Sequence, residues 1–326
     1  MGARLLTAGQ VPICWGISNA PAAGLSRCGP VRTTMTQNTQ KTVEQIIHAP
    51  QGGHWVGDGF PVRSLFSYQG DTRAISPFLL LDYAGPYVFG PNMGAPRGVG
   101  QHPHRGFETV TIVYDGEVSH RDSSGGGGTI GPGDVQWMTA AGGIIHEEFH
   151  SPGFSKAGGP FRMVQLWVNL PAKDKMTPAK YQAITSAQIP SVTFPGGKAR
   201  VIAGAFNGVT GPASTFTPIN LWDVRLEAGA EVTLDLPEGH TALVTVLTGH
   251  VTMGGQGAGE ADIVRLSVAG AGARVRVDGD AMLLVLTGTP IDEPVVGHGP
   301  FVMTSEAEIR QAITDFNSGR FGQVAN

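Results

Sequence analysis

No cysteine occurs after residue 28. The chain has only two, Cys14 and Cys28, so its main body can contain neither a disulfide framework, a thiolate metal site nor a cysteine nucleophile. Charge is also scarce. Asp, Glu, Lys and Arg make up 15% of the 326 residues against about 25% in an average domain, and the net charge is −4. There is no basic stripe of the kind that nucleic acid or an anionic membrane surface requires. No apolar run approaches the roughly 18 residues of a spanning helix, so a soluble protein is expected, placed in the cytoplasm and read as a monomer. Acidic residues are missing altogether from Met1 to Val43, where Arg4, Arg27, Arg32 and Lys41 stand alone. That stretch is read as a leader or disordered extension (1–43). Its apolar runs are too broken for a secretory signal, and a start at Met35 is favoured over a transit-like leader.

Glycine, by contrast, is abundant, at 48 of 326. Without a collagen-like period, this points to many tight turns, as in all-β folds. Short apolar runs of strand length recur between turn signals: RSLFSYQ, ISPFLLLDY, FETVTIVYDGEVSH with an Asp115-Gly116 turn, QWMTAAGGIIHEEFH and FRMVQLWVNLP. The polar stretch 172–181, AKDKMTPAKY, is read as a passage between halves. The second half repeats the style in LWDVRLEAGAEVTLDLPEGHTALVTVLTGHV and ARVRVDGDAMLLVLTG. Two barrels of one kind are therefore expected, over 44–171 and 172–326. The chain should close with a helix in SEAEIRQAITDFNSG, started by a Ser305/Glu308 capping box and stopped at Gly319. Its apolar face, Ile309, Ala312, Ile313 and Phe316, should pack on a barrel.

Four of the ten histidines, 102, 104, 120 and 146, fall within 45 residues. Residues two apart on a strand share a face, so His102 faces with His104 and His146 with Glu148. Two such pairs on adjacent strands inside a barrel bring three imidazoles and a carboxylate to one point. Such a set suits one mononuclear Fe(II), Mn, Ni, Cu(II) or Zn ion. Two acids compete for the carboxylate place: Glu148, and Glu108, which shares the face of His104 if that strand is regular. His120 and His150 read as rim or supporting residues. His240 and His250, ten apart and without a paired acid, read as core or surface residues of the second half.

HPHRGFETVT, PGDVQWMTAAGGIIHEE, FRMVQLWVNLPAKDKMTPAKYQ and GPFVMTSEAEIRQAITDFNSGRFG occur in an order that resembles the pirin family, from about residue 55 to 322. The resemblance implies a bicupin, two face-to-face antiparallel β-barrels of the double-stranded β-helix type, with the metal in the first barrel only. It implies ligands at the positions of His102, His104, His146 and Glu148, with Glu108 kept as a supporting acid. Glu147, the first glutamate of His-Glu-Glu, departs from many relatives, which carry a small or polar residue there; the implied ligand pair His146 and Glu148 is intact. The resemblance further implies Fe(II) as the metal and a dioxygenase that opens a flavonol such as quercetin with O2, Glu148 being ligand and base. The substrate would be a small planar phenol or enol; Phe107 and Trp137 are read either as aromatic walls of the pocket mouth or as core packing. The family's alternative role is a redox-responsive regulator working through a protein partner.

Overall fold

The computed structural model describes residues 39–325; the leader expected over 1–43 lies outside them but for its last five residues. Strands dominate, arranged as two copies of one design. In the first, a seven-stranded antiparallel sheet runs in the order Lys180–Ile184, Val135–Thr139, Phe107–Asp115, Gly159–Asn169, Phe78–Phe89, Phe60–Ser67, His54–Val56. It closes against a four-stranded sheet, Gly98–His104, Ile144–His150, Val118–Asp122, Gly127–Ile130. The second copy has seven strands, Val43–Ile47, Ile263–Leu266, Thr241–Thr248, Ala281–Gly288, Ile219–Leu226, Gly197–Ala203, Ser191–Phe194. Its four-stranded partner is Glu231–Leu234, Ala273–Val277, Val251–Met253, Gln256–Ala258. This is the expected bicupin.

The hydrogen bonding does not divide at residue 171. Strand Val43–Ile47 pairs with Ile263–Leu266 of the second barrel, and Lys180–Ile184 pairs with Val135–Thr139 of the first. Each barrel thus has its sheet edge closed by a strand from the other side of the expected boundary. The polar composition of 172–181 concealed an edge strand, whose outer face needs no apolar residues.

The seven-stranded sheets pack face to face. Leu81, Tyr83, Ile112, Trp137 and Leu166 from one meet Leu221, Leu243, Ile263, Leu284 and Leu286 from the other in one continuous core. The Tyr83 hydroxyl crosses it to donate to the Leu247 carbonyl at 2.9 Å. Strands such as Val135–Thr139 are therefore buried on both faces and lose the alternation of a half-exposed strand. The Asp115-Gly116 turn is a corner between the two sheets of the first barrel. Gly116 has φ +87°, and a Cβ there would lie 2.6 Å from the Phe161 ring.

The C-terminal helix, Glu306–Asn317, forms as expected, with Ser305 accepting from the Glu308 amide. Its buried face is rotated from the predicted one: Ile309, Ala312 and Asp315 are buried, whereas Ile313 is exposed. It packs with Phe301, Met303 and Phe321 on Ile145 of the first barrel. Among the described residues no helix is long and apolar enough to cross a membrane.

Candidate metal centre

His102 and His104 lie on strand Gly98–His104. His146 and Glu148 lie on the antiparallel neighbour Ile144–His150, with His146 directly opposite His102. The ring centroids are 4.2 Å apart for His102–His146, 4.8 Å for His104–His146 and 4.9 Å for His102–His104. One ligand atom from each of the three lies within 4.8 Å of the others. Glu148 is drawn into a second set with His146 and His120 on the same criterion, and it lines the same cavity as His102 and His104.

The neighbours fix the tautomers. His102 Nδ1 is 2.8 Å from the Gly100 carbonyl and His104 Nδ1 is 3.4 Å from the Pro300 carbonyl. Carbonyls only accept, so both Nδ1 atoms carry a proton, and Nε2 is the nitrogen of each ring left to coordinate a cation. Gln136 donates to His120 Nδ1 at 3.2 Å, so His120 holds its proton on Nε2 and donates to Asp122 at 3.1 Å. His146 Nδ1, 3.3 Å from His120 Nδ1, is then the donor. Its Nε2 is buried with no partner among the described residues. Burial, and after it the neighbouring imidazoles, pushes the pKa values of His104 and His146 well below the ordinary value. Both are therefore neutral, the form that coordinates a cation.

This donor set fits a single divalent ion of the borderline class. The imidazoles of His102, His104 and His146 lie together, Glu148 lines the cavity beside them, and the orphaned His146 Nε2 is a buried acceptor that a cation would satisfy. The supporting shell is equally defined. Glu148 Oε1 accepts from Gln136 at 3.0 Å, with the Thr111 hydroxyl oxygen 3.4 Å away. Tyr181 stacks on His120, 5.1 Å between centroids, and donates to Gln136 Oε1 at 3.3 Å, which turns the amide nitrogen toward Glu148. Burial, with Glu148 and Asp122 nearby, pushes the Tyr181 hydroxyl up to about 12, so it stays a donor.

Glu108 is not part of this shell. The chain turns at Gly106, φ +92°, as it leaves the four-stranded sheet for Phe107–Asp115, so counting residues from His104 does not preserve the face. Thr111 points into the barrel, whereas Glu108 shares the opposite face with Val110 and Ile112 in the inter-barrel core. It accepts from Thr139 at 2.7 Å, and burial pushes it up to about 7. Trp137 lies on that outer face too, not at the pocket mouth. Phe107 is buried, stacked on Trp167 at 4.2 Å and edge-on to His104. His150 donates to the Gly59 carbonyl within a cluster of phenylalanines. His240 bonds to Thr287 and Thr289, and His250 is exposed.

The tail of the second half reaches this centre. Arg105, next to His104, pairs with Asp315 of the C-terminal helix at 2.8 Å, donates to the Gly142 carbonyl and lies 4.6 Å from the Phe321 ring centroid. The Lys175 amine, buried and pushed down to about 7 by that burial, donates to the carbonyls of Gly106 and Val302 and to Asn169. Both hold the segment that carries His104.

The cavity beside the histidines is about 340 Å³ and is walled by Val56, Phe60, Val62, Val99, Met163 and Trp167, with Asp82 and Gln165 among them. Sequence reading missed Gln136, Gln165 and Asp82. The available signal was a lone polar residue in an otherwise apolar strand, as in VQWMT, RMVQLWV and FLLLDY.

Two stacked cupin barrels, one of them lined by a histidine and glutamate cluster able to bind a metal, define the class. Residues 59–168 match the Pirin family model and 221–322 the Pirin C-terminal cupin domain, and the chain belongs to the pirin family. It is 57% identical over 277 residues, 84% of this chain and 96% of the relative, to a Pseudomonas aeruginosa protein named "Putative quercetin 2,3-dioxygenase". It is 36% identical to human pirin over 77% of this chain and 85% of that one. The crystal structure of a quercetin 2,3-dioxygenase from Acinetobacter baumannii aligns with a TM-score of 0.85 at 53% identity, covering 88% of this chain and all of that one.

Proposed function

We propose that this chain is a metal-dependent dioxygenase that opens a flavonol such as quercetin with O2. Fe(II) would be held by His102, His104, His146 and Glu148. The observation that carries the reading is the buried, partnerless Nε2 of His146 beside two further free imidazole nitrogens at the wall of an apolar cavity. Similarity to proteins named quercetin 2,3-dioxygenase supports the substrate class. The overall change adds O2 to the flavonol and releases one carbon as carbon monoxide, leaving an ester of two phenolic acids.

The bound metal would supply Lewis acidity at the substrate hydroxyl and a route for electrons between substrate and O2. The protein's own side chains do the rest. Glu148 Oε1 accepts from Gln136, which leaves Oε2 as the base for the flavonol 3-hydroxyl proton. The Trp167 and Phe60 rings give a planar substrate flat apolar walls, and the largely apolar lining keeps water from the reacting carbons.

The test combines metal analysis with O2 uptake and carbon monoxide release on quercetin. Stoichiometric metal with coupled uptake and release is expected. Stoichiometric metal without uptake on several flavonols overturns the proposal.

A further inference from the structure

Across the floor of the first barrel, five adjacent strands place one side chain each in a single register row: Ser64, Asp82, Gln165, Thr111 and Gln136. All five point into the barrel. At one end the row ends at the candidate metal centre, since Gln136 donates to Glu148 and the Thr111 hydroxyl oxygen lies 3.4 Å from the same carboxylate oxygen. At the other it opens into the cavity. Ser64 donates to Asp82 Oδ1, and Oδ2 has no protein partner among the described residues. Thr111 donates to Gln165 Oε1 at 3.0 Å, which turns the Gln165 amide nitrogen, also without a protein partner there, toward the cavity that both residues line.

The cavity therefore presents an acceptor and a donor side by side on an otherwise apolar wall. That pair complements a hydroxyl group, which donates one hydrogen and accepts another. Strands are spaced about 4.8 Å apart, so Asp82 stands roughly 10 Å along the sheet from Thr111 at the metal end. We infer that Asp82 and Gln165 form a hydroxyl-recognition subsite that selects planar phenols bearing a second hydroxyl remote from the metal-binding one. This rests on the phenolic-substrate reading above and extends it to specificity. Burial raises the Asp82 pKa, so a ligand hydroxyl is a welcome partner for a carboxyl that water scarcely reaches. A site built to hydrogen-bond a substrate hydroxyl rejects an analogue without it, because its own polar groups are then buried unpaired.

The test is anaerobic titration of the metal-loaded protein with quercetin, which carries ring hydroxyls, and with 3-hydroxyflavone, which carries none beyond the metal-binding one. Asp82→Asn turns an amide nitrogen to the cavity while Ser64 keeps its acceptor. It should weaken quercetin binding by about tenfold or more, the worth of one hydrogen bond to a charged group. The 3-hydroxyflavone affinity and the metal content should stay within about twofold. Gln165→Met should show the same selectivity and guards against misfolding of the first variant. If wild type binds both flavonols and the variants leave quercetin unaffected, or weaken both flavonols equally, the subsite is overturned and the phenolic reading stands. If wild type binds neither, the phenolic reading falls and the subsite with it.

Discussion

The two barrels share a strand order, yet they differ in what fills them. Where the first sets Ser64, Asp82, Gln165, Thr111 and Gln136 across five neighbouring strands, the second sets Val201, Trp222, Val285, Val244 and Val264 across the corresponding five. All five of these are fully buried in its core. In the four-stranded sheets, the facing pair His102 and His146 has Val232 and Val275 as its counterpart. The same backbone thus supports a lined cavity in one copy and a packed interior in the other. The choice is made by the inward residue on each strand, which is why function has to be argued from the site and not from the fold.

The sharpest way to break that contrast is to make one change in both barrels. His146→Ala removes the imidazole common to both candidate clusters. Metal content after purification should fall to less than about a tenth of wild type, since even altered supporting residues cost 10–100-fold in affinity. Val275→Ala, its counterpart, should leave metal content unchanged and lower the unfolding free energy by about 1–3 kcal/mol through the void it leaves. Elemental analysis and denaturant titration read the two effects separately. Metal retained by His146→Ala would remove that residue from the proposed centre.

Much of this difference could be read from sequence, but unevenly. His-Pro-His and His-Glu-Glu announce themselves because imidazoles two apart on a strand must share a face. Glu108 misled for the opposite reason: parity fails wherever the chain changes sheet, and Gly106 marks such a change only once its φ is known. Trp137 and Lys175 were opaque as well. A strand buried on both faces gives no period from which to tell cavity from inter-barrel core. A lysine in a charged stretch gives no sign that its amine closes three buried acceptors. The polar row is visible in outline, one polar residue per apolar strand. Its register depends on bulges that no local pattern reveals.

A second experiment asks how far the histidine-lined barrel depends on the tail of the other. Arg105 and Gln311 hold the Asp315 carboxyl below the usual carboxylate range. A depressed carboxylate stabilises above its unfolded pKa and loses that contribution only as pH falls through the lower folded value, so the Arg105 latch is closed at neutral pH. Asp315→Ala should open it. Amides of Glu306–Asn317 should exchange faster, and metal affinity should drop about tenfold as Pro300 loosens from His104. Faster exchange with unchanged affinity would show that the strap covers the barrel without setting its ligand.

The smallest effect separates two acids on different sheets of the first barrel, Glu108 on the outer face of the seven-stranded sheet and Glu148 on the four-stranded sheet. Glu108 faces the inter-barrel core, and burial lifts it to about 7. The folded state thus binds its proton more tightly than the unfolded chain does. Its contribution is fully present below the ordinary glutamate pKa, falls as pH rises and is gone above about 7. Glu108→Gln keeps an acceptor for Thr139 and removes the charge. It should abolish a stability loss on the order of 1–3 kcal/mol between about pH 4.5 and 7.5, with metal content unaltered. Glu148→Gln should behave inversely, losing metal without flattening that profile. If instead Glu108→Gln releases metal, the inter-barrel core and the centre are coupled through the seven-stranded sheet, and the two sites are not independent.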